Sequence, residues 1–353
     1  MDSKIGLINT YSTLNIGDSA IYSAFAGMLP DARVFAQFQD FQTEYTPGIQ
    51  VIEALPPCDA YISVGGDIFN NARERLVTKA FLLNLRQLWR SPQHTLVFGQ
   101  SIPRSCHGLS FQALAFCFRR LAAVCVRDVE SHKRLTQAGV AAQLSYDVAF
   151  SLSLRAAAKQ EAVQGFQSLD ITPDTAVLIS LRGFDSMYTQ DNTQFQRHLV
   201  TLCRTLLSRG HQPVLLLQAK AYGADHDLAI AQTIVQQVPA TKIFDPFVGE
   251  YRCANWERVM AALAICRFSV AVRYHTAILS LASGRVPFNL YYSNKGRDLT
   301  QRLQIPGCSL EEFDPEAQVS VMEKTADQTF DHAPIRQQVQ QDFQDCYQRA
   351  IAP

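Results

Sequence analysis

The chain has 353 residues, more than one typical hydrophobic core accommodates, and this length predicts two domains of roughly 150 to 180 residues. It is 47% hydrophobic and 18% charged, with Lys+Arg and Asp+Glu balanced at 32 each for a formal net charge of zero. That balance argues against a nucleic-acid backbone binder and gives no sign of a strongly basic membrane surface. No charged leader precedes a long apolar segment and no apolar run approaches about 18 residues, so a cytoplasmic protein without a membrane span is expected. Nine cysteines without CxxC spacing read as buried, reduced thiols rather than as a disulfide framework or a zinc site.

In chain order, residues 4–9 read as a short apolar strand and residues 19–28 as a helix with Ile21, Phe25 and Met28 on its apolar side. The loop between them carries Asn15, Gly17 and Asp18. A polar, glycine-containing loop before a helix can hold an anion on its backbone N–H groups. Equally, Asn15 and Asp18 form an Asx turn and a helix cap. Neither GxGxxG nor GxxxxGK[ST] is present, so no dinucleotide or P-loop fingerprint supports the first use. Residues 60–64 form a strand that ends in Gly65-Gly66-Asp67, with Asn70 close behind. A diglycine there permits close backbone approach and the two polar side chains suit a hydroxylic ligand, although the composition also suits a plain turn. Helix 76–89, strand 95–99, helix 109–121 and strand 123–126 follow. The last strand ends in Arg127-Asp128, ahead of a helix beginning near Glu130. Residues 144–148 lead to a polar, partly helical crossing over 155–174.

The second half restarts with strand 176–180, which ends in Leu181-Arg182-Gly183. Helix 192–208, strand 213–218, helix 225–237, strand 242–244 and helix 256–265 come next. Residues 268–299 organise the rest: a buried strand (268–272), a polar break at Arg273-Tyr274-His275, an apolar helix (276–282) and a second buried strand (287–292). Apolar strands alternating with helices predict parallel sheets, whose ligands sit beyond the carboxyl ends of the strands. Arg273 and His275 occupy that place, and in extended chain their side chains point to one side. The plain alternative is an arginine paired with a carboxylate and a histidine capping a helix.

The series Asn15-Ile16-Gly17-Asp18, Gly65-Gly66-Asp67-Ile68-Phe69, Val126-Arg127-Asp128 with Ser131, Ser180-Leu181-Arg182, and Arg273-Tyr274-His275 through Gly284, Pro287 and Lys295 resembles the polysaccharide pyruvyl transferase family over roughly residues 5–305. The chain departs from the family pattern at Asp67, where many members have a third glycine, at Tyr146-Asp147-Val148, where Asp-Pro is usual, and at the inserted Arg285. The resemblance implies an α/β fold of two Rossmann-like domains facing across a cleft, like GT-B glycosyltransferases. Residues 1–155 would form the acceptor side, residues 175–310 the phosphoenolpyruvate side, and residues 311–353 a helical segment packing back on the first domain. The implied reaction, in polysaccharide biosynthesis, moves a pyruvyl group from phosphoenolpyruvate onto two hydroxyls of a sugar, oligosaccharide or lipid-linked glycan, giving a cyclic ketal and phosphate. A lipid-linked acceptor would bring peripheral membrane association.

The residue types fit that chemistry. A donor carrying phosphate and carboxylate needs fixed cations, for which Arg182, Arg273 and Lys295 are the candidates. His275 suits proton transfer near neutral pH. Asp67 is the first choice as base for the acceptor hydroxyl and Asp18 the second; either can instead orient the sugar, together with Asn15, Gly65, Gly66 and Asn70. No metal and no cofactor beyond the donor is expected. Two readings compete: a GT-B glycosyltransferase using a nucleotide sugar, and a binding or scaffold protein that kept the fold.

Overall fold

The computed structural model describes residues 3–38, 46–71, 77–184, 191–220, 227–247 and 254–352. Two compact units emerge: Met1–Thr13, Ala20–Leu152 and Ala333–Pro353 form the first, and Leu14–Ser19 with Ser153–His332 the second.

The first unit is built on β1 (Ser3–Ile8), β2 (Ala32–Ala36), β3 (Ile49–Val51), β4 (Ala60–Ser63), β5 (Thr95–Gln100), β6 (Ala123–Val126) and β7 (Ala142–Leu144). They make one parallel sheet in the order β3-β2-β1-β4-β5-β6-β7. Every residue of β4, β5 and β6 is buried, as a parallel sheet covered by helices on both faces requires. The connections run through α1 (Ile16–Met28), α2 (Lys79–Leu88), α3 (Gly108–Phe118) and α4 (Val129–Gln137). Capping fixes where these helices begin. Thr78 accepts from the Phe81 N–H, and Asp128 Oδ1 accepts from the Ser131 N–H at 2.8 Å. The last helix of the chain, α12 (Ala333–Ile351), also belongs here: Phe343 meets Phe25 at 5.6 Å and Phe98 at 5.4 Å between ring centroids.

The second unit holds β8 (Ala176–Ser180), β9 (Gln212–Leu216), β10 (Lys242–Phe244), β11 (Phe268–Ala271), β12 (Phe288–Tyr291) and β13 (Gly307–Ser309), all parallel, in the order β10-β9-β8-β11-β12-β13. Its helices are α5 (Ala158–Ser168), α6 (Asn192–Ser208), α7 (Asp227–Gln237), α8 (Asn255–Ile265), α9 (Tyr274–Ala282), α10 (Asn294–Leu303) and α11 (Pro315–Thr325). One core joins β8, β11 and β12 to α6 and to Val319 and Met322 of α11.

Strands 123–126, 176–180 and 242–244 and helix 192–208 form where expected. β2 and β3 were not expected: β3 is a largely exposed three-residue edge strand, and β2 is a short run with no turn signal beyond it. Residues 144–148 give no strand past Leu144; a 3-10 turn over Val148–Ser151, capped by Asp147, replaces it. The expected starts of two helices at Leu76 and Asp225, and the thiol of Cys253, lie outside the described residues. The described cysteines are all free, and all but Cys58 are buried. The segment 311–353 is divided: α11 packs in the second unit and α12 in the first. Among the described residues no helix is long and apolar enough to cross a membrane.

Candidate active site

In the second unit the strand order reverses beside β8. The chain winds outward through β9 to β10, then returns past β8 to β11, β12 and β13. At such a switch point the loops leaving neighbouring strands part and open a crevice at the carboxyl ends. Leu181 and Arg182 leave β8 there, Arg273 leaves β11, and Tyr292 and Lys295 follow β12.

A buried polar scaffold fixes this end of the sheet. Ser180 Oγ accepts from the N–H groups of Val272 (2.8 Å) and Arg273 (3.1 Å), tying β8 to the start of α9. The Arg273 Nε donates to the Leu181 carbonyl at 2.7 Å and its Nη2 to Asp227 Oδ1 at 2.6 Å. Asp227 Oδ2 in turn accepts from the N–H groups of Gln218 (2.8 Å) and Ala219 (3.0 Å). Burial pushes the Asp227 carboxyl above the ordinary carboxylate range, against the pull of Arg273 and the two amides. Arg273 is therefore half of an ion pair with both members buried. The extended-chain argument that aligned it with His275 also fails, because α9 begins at Tyr274 and Arg273 is its N-cap.

His275, half-buried, is the second residue of α9, with the Tyr274 ring edge-on at 5.5 Å and 82°. Another neighbour comes from far away in sequence. A Cβ placed on Gly17 would lie 2.1 Å from His275 Nδ1, so the imidazole occupies the space a side chain there would fill. Residues 14–19 reach this position by pairing with the end of β9. The Ile16 N–H donates to the Gln218 carbonyl and the Lys220 N–H to the Leu14 carbonyl, both at 2.9 Å, and Asn15 bridges Ala219 in antiparallel fashion. Gln218 serves both sides, since its Oε1 accepts from Thr276 Oγ1 at 2.6 Å. Asn15 forms the Asx turn, its Oδ1 accepting from the Gly17 N–H at 3.0 Å, and Asp18 lies half-buried in the first turn of α1. Asn15 and Asp18, assigned from sequence to the first domain, thus group with His275.

Two half-buried cations complete this half. The Arg182 guanidinium lies 5.0 Å from the centroid of the Tyr292 ring, and Lys295 Nζ, in the first turn of α10, lies 5.4 Å from that of Tyr274. Asp227, Gln218, Tyr274 and Tyr292 were not singled out from sequence. An aspartate opening a helix looks like any dipole-stabilising cap, and nothing local shows that it faces an arginine 46 residues further on.

The first unit has its own switch point, between β1 and β4. Asn9 leaves β1 with left-handed backbone (φ 59°) and donates from Nδ2 to Ser63 Oγ at 2.8 Å. The Gln100 Nε2 donates to the same hydroxyl and to the Val64 carbonyl, each at 2.9 Å. Gly65 has φ 105°, and a Cβ there would meet Ile68 Cγ2 at 2.6 Å, so this turn demands glycine. Gly66 lies against Arg127, whose Nη2 would be 3.0 Å from an added Cβ. Arg127 is fully buried: Nη1 donates to Asp147 Oδ2 at 2.5 Å, Nε donates to Ser101 Oγ at 2.8 Å, and Nη2 stands 3.7 Å from Asp67 Oδ1. Asp67 keeps 28% of its side chain exposed. Asn70 is held from behind, its Oδ1 accepting from the Ser105 hydroxyl. Gly65, Gly66, Asp67 and Asn70 therefore form one braced loop. Its brace, Arg127 with Asp147, was visible in the motifs but not recognised as a support.

Among known structures, the fold is similar to UDP-GlcNAc 2-epimerase from Methanocaldococcus jannaschii (TM-score 0.59, 8% identity, 98% of this chain and 99% of that one). It is also similar to a glycosyltransferase from Rickettsia africae (0.54, 8%, 99% and 96%) and to a UDP-forming alpha,alpha-trehalose-phosphate synthase from Burkholderia xenovorans (0.53, 11%, 99% and 96%). At such identities the likeness shows the fold alone, which is GT-B-like. No curated protein matches the chain significantly in sequence. A family model described as polysaccharide pyruvyl transferase matches residues 15–294, running from the Asx turn beside His275 to the residue before Lys295. With most of its length and the braced loops of both units inside that match, the chain belongs to the polysaccharide pyruvyl transferase family.

Proposed function

We propose that the protein transfers the pyruvyl group of phosphoenolpyruvate onto two hydroxyls of a sugar or glycan, forming a cyclic ketal and releasing phosphate. What supports this reading is that Arg182, His275 and Lys295 follow β8, β11 and β12 at the carboxyl end of one sheet, Arg182 against Tyr292 and both His275 and Lys295 against Tyr274. A donor with a carboxylate and a phosphate needs two separated positive sites, and Arg182 and Lys295 supply them beside the N-termini of α9 and α10. Arg273 contributes its charge from a fixed position behind them. His275 delivers the proton that C3 of the enol takes up as the first hydroxyl oxygen adds to C2. Phosphate then leaves C2, and the second hydroxyl closes the ring, its proton passing to the departing phosphate. Asp67, with Gly65, Gly66 and Asn70, receives the acceptor and takes the proton of the attacking hydroxyl; Asn15 and Asp18 order the loop against which His275 rests.

Incubation with phosphoenolpyruvate and a panel of pyranosides tests this. Phosphate release that depends on the sugar, with a matching mass gain of one pyruvyl ketal, is the expected result. Turnover of a nucleotide sugar with release of nucleoside diphosphate, and none of phosphoenolpyruvate, would assign the protein to glycosyl transfer instead.

A further inference from the structure

Balanced totals hide a local asymmetry. Residues 77–126 contain Lys79, Arg86, Arg90, Arg104, Arg119 and Arg120 and not one aspartate or glutamate. This span is α2, β5, α3 and β6 of the first unit. α2 buries Phe81, Leu85 and Leu88 and turns Leu82, Arg86, Trp89 and Arg90 outward, with Leu82 55% and Trp89 44% exposed. α3 buries Leu114, Ala115 and Phe118 and exposes Leu109 at 59% and Phe116 at 46%, with Arg119 and Arg120 just beyond.

These side chains form one surface. α2 and α3 connect neighbouring parallel strands, so they run side by side in the same direction on one face of the sheet. The Trp89 and Phe116 rings stack at 5.7 Å with 19° between planes. Leu82 precedes Trp89 by the same seven residues by which Leu109 precedes Phe116, which sets the two leucines level when the aromatics are level. The Arg120 guanidinium covers the pair, 3.7 Å from the Phe116 centroid and 5.6 Å from that of Trp89. Among the described residues no ion pair engages Lys79, Arg86, Arg90, Arg119 or Arg120.

Clustered large apolar side chains in water mark a contact surface. A rim of one sign narrows the partner. Indole, phenyl and leucine side chains among guanidinium groups, with no aspartate or glutamate contributed by residues 77–126, match the headgroup region of a bilayer that carries negative charge. We infer that the α2–α3 face docks on an anionic lipid surface, with Trp89, Phe116, Leu82 and Leu109 entering the boundary between headgroups and acyl chains and the arginines lying among the phosphates. This inference stands on the surface alone and does not depend on the reaction proposed above.

The test needs no substrate. The chain has two tryptophans, and Trp256 is only 7% exposed, so a change in emission on adding vesicles reports Trp89. With phosphatidylcholine vesicles containing about one third phosphatidylglycerol, the protein should co-sediment and its emission should shift to the blue; with phosphatidylcholine alone it should do neither. Salt at about 1 M, which cuts the screening length to about 3 Å, should weaken binding. Trp89→Ser with Phe116→Ser should abolish co-sedimentation while leaving the circular dichroism spectrum unchanged. Arg86→Gln with Arg90→Gln should lower the partition coefficient roughly 30-fold. Absence of binding to the anionic vesicles, or equal binding by both double variants, would overturn the inference. So would sedimentation velocity showing that Trp89→Ser with Phe116→Ser converts a dimer into monomers without changing lipid binding, since the face would then join two copies of this chain.

Discussion

A buried arginine needs a carboxylate, and at the second switch point that requirement decides what Arg273 can do. Removing it leaves Asp227 buried with two amide donors and no cation, so Arg273→Ala should cost about 3 to 5 kcal/mol of stability in addition to donor affinity. Arg273→Lys should restore part of each, because a point charge cannot span both Leu181 and Asp227. Thermal denaturation beside calorimetry with phosphoenolpyruvate separates the two losses, and an alanine variant as stable as the wild type would contradict the ion pair. Gly17 carries a second prediction at this scale. A methyl group there has to displace the His275 ring, so Gly17→Ala should lower kcat towards the level of His275→Gln, itself down by about 10² to 10⁴. In the double variant the two losses should not add, as expected for residues acting through one group. Near-normal kcat in Gly17→Ala would uncouple the loop from the histidine. Residue types and strand ends are what singled out His275, Arg182, Lys295 and Asp67 as candidates in the sequence. What fixes them was not legible, since Gly17, Gln218 and Asp227 act through contacts between segments far apart in the chain.

At the scale of elements, legibility followed burial. Strands such as β8, with every residue buried, leave an apolar run that can be read directly, and α6 announces itself through Asp191, whose side chain accepts from the Thr193 N–H at 2.8 Å. The edge strand β3 leaves no such trace, because its three residues meet solvent and owe their conformation to pairing with β2. Residues 311–353 were read as one helical segment packing back on the first domain; of that segment, α12 lies in the first unit, where Phe343 meets β5 and α1. Phe343 is fully buried, so Phe343→Ala should cost about 3 to 5 kcal/mol, measured by chemical denaturation. A loss below about 1 kcal/mol would mean that α12 only covers a core already closed without it.

For the whole molecule, the proposed reaction assigns the donor to one switch point and the acceptor to the other, so the two roles should be separable. Asp67→Asn keeps size and hydrogen bonding but cannot accept a proton, so kcat should fall with phosphoenolpyruvate affinity intact, whereas Arg182→Ala should weaken donor binding. Equal loss of donor affinity in both would collapse the division. The grouping of Ala333–Pro353 with Ala20–Leu152 has a further consequence, for the chain as it is made on the ribosome. The first unit is begun first and finished last: Phe25 and Phe98 wait for Phe343 while the whole stretch from Ser153 to His332 is being synthesised. At usual elongation rates that delay is roughly 10 to 40 s. The second unit, begun later, has all its segments in hand before α12 exists. All segments of the second unit are therefore available before the helix that completes the first, and during that interval Phe25 and Phe98 lack the ring that packs on them in the finished fold.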